Sequence, residues 1–105
     1  MKKGEFYLNM GNKPAFRVSG YSEWFWCGSN SVELIFHRSI SGGSYWYVSE
    51  RSTGMATGVY APSRKAAAEA ITGDLIHKFA HALDSVRAQK AIAQMAKLYA
   101  ADANA

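Results

Sequence analysis

Aromatic residues and alanines occupy different parts of this chain. All three Trp, five of the six Tyr and four of the five Phe lie within the first 60 residues, whereas alanine clusters after residue 60. Aromatic residues favour strands, and alanine has the highest intrinsic helix propensity. The sequence therefore predicts a single α+β domain over 1–105, with a β-sheet half at 1–61 and a helical half at 62–105.

Alternating apolar residues and turn-forming residues divide the β half into short segments. Strands are predicted at 5–10, 15–19, 23–27, 32–38, 45–50 and 55–60, with turns that include Gly20-Tyr21-Ser22. Because every connection is short, we expect an antiparallel β-meander of about five to six strands.

The helical half opens at Pro62-Ser63, where Ser63 is a suitable N-cap residue. Thr72-Gly73-Asp74 is a possible break, with Thr72 or Asp74 capping the new start, so we predict a short helix at 64–72 and a longer one at 74–100. Both should pack on one face of the sheet.

The apolar stripe of this half changes direction. Its first part is Ile71, Leu75, Phe79, Leu83 and Val86, and its second part is Ile92, Met95 and Tyr99. A step of six residues rotates the stripe by about 120°, which predicts a bend near residue 88 or two different packing partners. The second part makes a homodimer through the C-terminal helix an expectation.

Charge and cysteine content narrow the cellular setting. The net charge is +4 and the pI about 9.3, and the basic residues are scattered, which permits an acidic partner without requiring one. Cys27 is the only cysteine, so an internal disulfide is excluded and a reducing compartment is favoured. With no secretory signal pattern and no apolar run of membrane-spanning length, we expect a cytoplasmic protein.

Two groups of residues have spacings that suit chemistry. His77, His81 and Asp84 fall on one side of a helix, the arrangement of a small metal-binding protein or enzyme, although Lys78 replaces the Glu of the zinc-protease motif. Cys27 and His37 lie on neighbouring strands, but nothing activates the thiol. The sequence contains no phosphate loop or nucleophile elbow. We therefore predict a non-enzymatic protein with no catalytic residue, metal or cofactor.

Two runs of consecutive aromatics are the most informative feature for function. They are Trp24-Phe25-Trp26 and Tyr45-Trp46-Tyr47. Consecutive strand residues face opposite ways, so helices on one face leave large rings on the other. Alternatively, a strongly curled sheet buries both faces, or the rings form cross-strand pairs. The predicted binding surface consists of Trp24, Trp26, Tyr45, Tyr47, Arg17, Arg38, Arg51, Arg64 and Lys65.

Such a surface suits two classes of partner. Trp, Tyr and Arg are enriched as anchors in protein interfaces, which makes a protein partner the first expectation. Aromatic rings beside arginines also stack on single-stranded or structured nucleic acid, which is the alternative. Arg64 and Lys65 begin a predicted helix, where they either add phosphate affinity or form an ordinary solvated turn.

The segments Trp46-Tyr47-Val48-Ser49-Glu50, Ser52-Thr53-Gly54 and Ser63-Arg64-Lys65-Ala66-Ala67 follow one another along the chain. This stretch resembles a strand–turn–strand–helix unit of small phage and prophage accessory proteins. The resemblance implies a protein encoded by a phage or mobile element that acts by binding. An inhibitor of a host defence complex, of the anti-CRISPR or anti-restriction kind, is one such protein.

Overall fold

The structure is a computed structural model that describes residues 1–104. Within them, a five-stranded antiparallel sheet with the order β1-β2-β3-β4-β5 precedes three helices. The strands are β1 (Lys2–Leu8), β2 (Phe16–Cys27), β3 (Asn30–Arg38), β4 (Trp46–Glu50) and β5 (Ala56–Ala61). The helices are α1 (Arg64–Glu69), α2 (Gly73–Ala82) and α3 (Val86–Ala103). The predicted fold class, an α+β fold built on an antiparallel meander, is confirmed.

The predicted turn at Gly20-Tyr21-Ser22 is wrong, because β2 runs through it as one strand of 12 residues. Gly20 lies opposite His37 of β3, and a Cβ atom on Gly20 would lie 2.6 Å from the carbonyl oxygen of Phe36. The glycine therefore allows two strands to approach closely and does not turn the chain. Merging the predicted strands 15–19 and 23–27 reduces the strand number to five.

The single long helix predicted over 74–100 is also wrong. Helix α2 ends at Ala82, and a separate helix, α3, begins at Val86. Ser85 caps α3, because its hydroxyl accepts a hydrogen bond from the Ala88 amide at 3.1 Å. This break, and not a bend near residue 88, accounts for the change in direction of the apolar stripe. Capping by Ser63 and Thr72 is confirmed, because each hydroxyl accepts from the third following amide.

One face of the sheet, here called the outer face, is covered by α1 and α2. Its centre is Leu34 and Phe36 of β3, which are almost fully buried. Phe25 of β2 packs against Phe36 with 5.9 Å between ring centroids. Buried residues that complete this core are Val32, Val48, Ala61, Ala67 and Ile76. Burying these apolar side chains is the main stabilising contribution of the outer face.

The sheet curls towards its opposite side, here called the inner face. The Asn9 amide, just after β1, donates a 2.8 Å hydrogen bond to the Gly54 carbonyl in the β4–β5 turn, although β2 and β3 separate these strands in the sheet order. Ile35 points to the inner face and is completely buried. Curling therefore buries only part of the inner face, whereas the sequence-based alternative had both faces buried.

Helix α3 contacts the free edge of β1. The Tyr7 amide donates a 2.9 Å hydrogen bond to the Tyr99 hydroxyl, and the two rings meet edge to face at 5.2 Å. The Tyr7 hydroxyl donates to the Asp102 carboxylate, and this hydrogen bond raises the pKa of Tyr7. Met95 is buried. The second apolar stripe is thus used within the chain, so a homodimer is not needed to cover it and stays a prediction.

Candidate binding surface

Trp24 and Trp26 are exposed neighbours on the inner face of β2. Trp24 is 50% exposed and Trp26 is 65% exposed, and their ring centroids are 6.0 Å apart. Phe25 between them points to the opposite, outer face and joins the core. One strand thus places a ring in the core and holds two rings in solvent, as the alternation in the sequence predicts.

The exposure of these tryptophans follows from the length of β1. In the register of the sheet, β1 reaches only as far as Ser22, which pairs with Lys2. Beyond this point, from Trp24 to Cys27, the described residues provide a strand neighbour on the β3 side only. Within the described residues, no further strand covers the inner face of this part of β2 or pairs with its edge on the β1 side.

Tyr45 and Tyr47 belong to a second aromatic group, together with Tyr60 of β5. Tyr47 stacks on Tyr60 at 5.7 Å, and Tyr45 lies 6.0 Å from Tyr60, and all three are exposed. The sequence did not reveal Tyr60 as a member. A β-bulge between Tyr47 and Ser49 shifts the register so that Tyr60 pairs with Tyr47, whereas the register of Ser49 with Ala56 would place Gly58 there.

Arg38 and Arg64 lie on aromatic rings at the outer face. The Arg64 guanidinium carbon is 3.8 Å from the Tyr21 ring centroid, and that of Arg38 is 4.7 Å from the Trp46 centroid. Within residues 1–104 neither arginine has a carboxylate oxygen within 4.0 Å. The four residues thus form a rigid platform that holds two uncompensated positive charges on the Tyr21 and Trp46 rings. Tyr21 was missed because the sequence assigned it to a turn.

The remaining basic candidates do not join this platform. Arg51 lies 3.7 Å from Glu33 and 4.2 Å from the Tyr99 ring, so it helps to hold α3 in place. Arg17 lies 3.8 Å from Asp102 of α3. Lys65 is exposed on α1, a helix of only six residues. Arg17 and Arg51 therefore have contacts that hold the fold together.

The two histidines of α2 lie close together, but residues 1–104 place no third metal ligand beside them. The rings of His77 and His81 meet edge to face at 5.2 Å, and the Asn30 side-chain amide donates to His77 Nδ1 at 2.7 Å. Asp84 lies beyond the end of α2. Across the described part of the chain, no group of three or more His, Cys, Asp or Glu is arranged to hold a metal ion.

Cys27 and His37 lie far apart in the sheet. Cys27 pairs with Asn30, next to the β2–β3 turn, whereas His37 pairs with Gly20. Seven residues of strand separate the two positions, roughly 23 Å at the rise of a β-strand, and the side chains point to opposite faces. Cys27 instead lies under the first residue of α2, where a Cβ atom on Gly73 would be 3.1 Å from its sulfur.

His37 has a different partner, which the sequence did not indicate. His37 Nδ1 lies 2.9 Å from the Arg38 carbonyl oxygen, and its Nε2 lies 2.9 Å from the Ser49 hydroxyl. A carbonyl oxygen only accepts, so Nδ1 carries the hydrogen and Ser49 donates to Nε2. Burial lowers the pKa of His37 below its ordinary value, so this histidine is neutral at pH 7.

Comparisons with protein-family models, with curated proteins and with solved structures found no match. Among residues 1–104, none of the helices combines the length and the apolar character needed to cross a membrane. The functional conclusion therefore depends on the surface described above.

Proposed function

We propose that this chain is a small, non-enzymatic binding protein that docks on a protein partner through Trp24 and Trp26. The observation that carries the proposal is the pair of tryptophan rings, half and two-thirds exposed, held side by side on one strand face. Tryptophan is the side chain most enriched among binding hot spots, where truncation costs about 2 kcal/mol or more. Two such rings on a rigid strand lose little conformational entropy on binding.

Two features of this surface favour a protein over a nucleic acid. The arginine–aromatic contacts of the described residues involve other rings, so no arginine lies on Trp24 or Trp26. In addition, β2 from Trp24 to Cys27 presents an edge without a strand neighbour, to which a partner strand can add by main-chain hydrogen bonds. Nucleic acid offers no such strand.

The mode of action that we propose is steric occupation of the partner's surface. The net charge of +4 suits an acidic partner surface. The resemblance of residues 46–67 to phage and prophage accessory proteins supports a phage- or mobile-element-encoded protein in the cytoplasm. A nucleic-acid-handling or defence complex is then the proposed target, with inhibition of the anti-CRISPR or anti-restriction kind as the proposed outcome.

Direct binding of single-stranded or structured nucleic acid is the second candidate, and a separate observation favours it. Arg38 and Arg64 are held on Trp46 and Tyr21 without a carboxylate partner among residues 1–104. Guanidinium groups in this setting attract phosphate, and partly exposed rings can stack on bases. This surface is on the outer face, whereas Trp24 and Trp26 are on the inner face, so the two candidates can be tested with different variants.

An affinity capture from lysate, with and without nuclease, tests both candidates. The wild-type chain is compared with Trp24→Ala/Trp26→Ala and with Arg38→Gln/Arg64→Gln. For a protein partner, we expect a captured protein that survives nuclease and moderate salt, is lost with the tryptophan variant, and is kept with the arginine variant. Capture that disappears with nuclease and with the arginine variant would instead establish the second candidate.

A further inference from the structure

A cavity of about 530 Å³ opens at the far end of the inner face from Trp24 and Trp26. Leu8 and Met10 of the β1 end, Ile40 of the β3–β4 loop and Ala56 of β5 provide apolar lining. Sites for small molecules have volumes of about 300–1,000 Å³, with apolar walls and a few fixed polar groups. The cavity fits this description in size and in the character of its walls.

The polar lining of the cavity includes His37 and Ser49, which belong to one hydrogen-bonded chain. His37 Nδ1 donates to the Arg38 carbonyl oxygen, and Ser49 donates its only hydroxyl hydrogen to His37 Nε2. The Ser49 oxygen keeps its lone pairs. The Ser49 oxygen is therefore a hydrogen-bond acceptor with a fixed direction, and a ligand that contacts it must supply a donor.

The remaining lining determines the charge and shape of a ligand. Tyr47 and Tyr60 form an aromatic wall, with ring centroids 5.7 Å apart. None of the residues that line the cavity within the described part of the chain is Lys, Arg, Asp or Glu. A charged ligand finds no counter-charge among these side chains. A flat neutral ring needs none and stacks on tyrosine.

We propose that this cavity is a binding site for a neutral, planar aromatic small molecule that carries a hydrogen-bond donor. The ring lies against Tyr60 and Tyr47, and the donor meets the Ser49 oxygen. This site is independent of the proposed protein interface, because Trp24 and Trp26 lie near the β2–β3 turn and do not line the cavity.

A matched pair of fluorescent probes tests the proposal. N-phenyl-1-naphthylamine is neutral and has one N–H donor, and 1-anilinonaphthalene-8-sulfonate has the same ring system with a negative charge. We expect saturable fluorescence enhancement with the neutral probe and at least about tenfold weaker binding of the sulfonate, because the sulfonate meets no counter-charge in the lining. No saturable binding of the neutral probe, or equal binding of both, would overturn the proposal.

Three variants locate the probe. Ser49→Ala removes the acceptor and should weaken binding of the neutral probe about fivefold, the value of one hydrogen bond. Tyr60→Leu removes an exposed ring, leaves the fold intact, and should weaken binding by about the same factor. Trp26→Leu, at the other end of the sheet, should leave binding within about twofold. Loss of probe binding in Trp26→Leu but not in Tyr60→Leu would place the probe elsewhere and contradict the proposal.

Discussion

The curl of the sheet closes one edge and leaves one strand face open. At the closed edge, β1 contacts the β4–β5 turn and α3 through the β1 seam, which consists of Tyr7, Asn9, Gly54, Tyr99 and Asp102. On the open face, Trp24 and Trp26 lie beyond the reach of β1 and remain in solvent. Polar groups of the seam are hydrogen-bonded within the chain, whereas half or more of each tryptophan side chain is exposed. The seam therefore serves stability, and the open face is available for a partner.

The largest effect is expected at the seam glycine. Gly54 has φ +70°, and a Cβ atom there would lie 2.7 Å from the Asn9 nitrogen and 2.8 Å from the Tyr7 carbonyl oxygen. Gly54→Ala should lower the free energy of unfolding by about 3 kcal/mol or more, from the left-handed backbone and the steric clash together. Urea unfolding followed by circular dichroism measures this change.

Gly28 provides a matched control for that substitution. It also has a positive φ of +60°, but no atom lies within 4 Å of a Cβ atom placed there. Gly28→Ala should therefore lower the free energy of unfolding by only about 1 kcal/mol, the cost of a positive φ without a steric clash. Equal losses in the two variants would mean that β1 and the β4–β5 turn do not meet as described.

A smaller effect is expected for the hydroxyl that joins α3 to β1. Tyr99→Phe removes the acceptor of the Tyr7 amide hydrogen bond and should lower the free energy of unfolding by about 1–2 kcal/mol. Tyr60→Phe is the control, since Tyr60 is 62% exposed and water already reaches its hydroxyl. A Tyr99→Phe variant as stable as Tyr60→Phe would show that the hydrogen bond between Tyr99 and Tyr7 adds nothing to stability.

The buried His37 should make stability depend on pH. Burial lowers its pKa below 6.5, so on acidification the unfolded chain takes up a proton before the folded chain does. The contribution of His37 is complete above pH 6.5 and is lost as the pH falls towards the folded-state pKa. The slope from one proton is at most about 1.4 kcal/mol per pH unit.

Urea midpoints between about pH 7.5 and pH 5.5 measure this dependence. The loss on acidification should be smaller in His37→Gln than in the wild type. An identical pH dependence in the wild type and His37→Gln would contradict a neutral, buried His37.

The smallest effect on stability is expected at the open face. Trp26 is 65% exposed, so Trp26→Ala should change the free energy of unfolding by no more than about 0.5 kcal/mol. The same urea experiment provides the measurement, with Gly54→Ala for comparison. A loss as large as that of Gly54→Ala would mean that Trp26 belongs to the core and that the open face does not exist.

Local features of the fold were predictable from the sequence. Alternation separated Trp24 and Trp26 from Phe25, and the caps Ser63 and Thr72 were recognisable from residue type. Gly20 was misread because a glycine suits both a turn and a close approach of strands, and only the position of β3 decides between them. The start of α3 was missed because Ser85, its cap, has no glycine or proline beside it.

Long-range contacts of the site were not predictable. Arg17 contacts Asp102 of α3, and Arg51 contacts both Glu33 and Tyr99 of α3. The contacts with α3 depend on where this helix lies against β1. The pairing of Tyr47 with Tyr60 depends on a β-bulge that the turn residues do not indicate. The hydrogen bond between His37 and Ser49 joins neighbouring strands on a face that curling buries. Each of these requires the completed sheet.

Capture of a partner by the Trp24→Ala/Trp26→Ala variant shows whether the protein docks through these two rings. Phe16→Ala, which removes an exposed ring elsewhere on β2, is the matched control. We predict that the double variant unfolds at the wild-type urea midpoint and retains at least about tenfold less of a nuclease-resistant protein partner, while Phe16→Ala retains it fully. A folded double variant that captures the same partner as well as the wild type would contradict the claim.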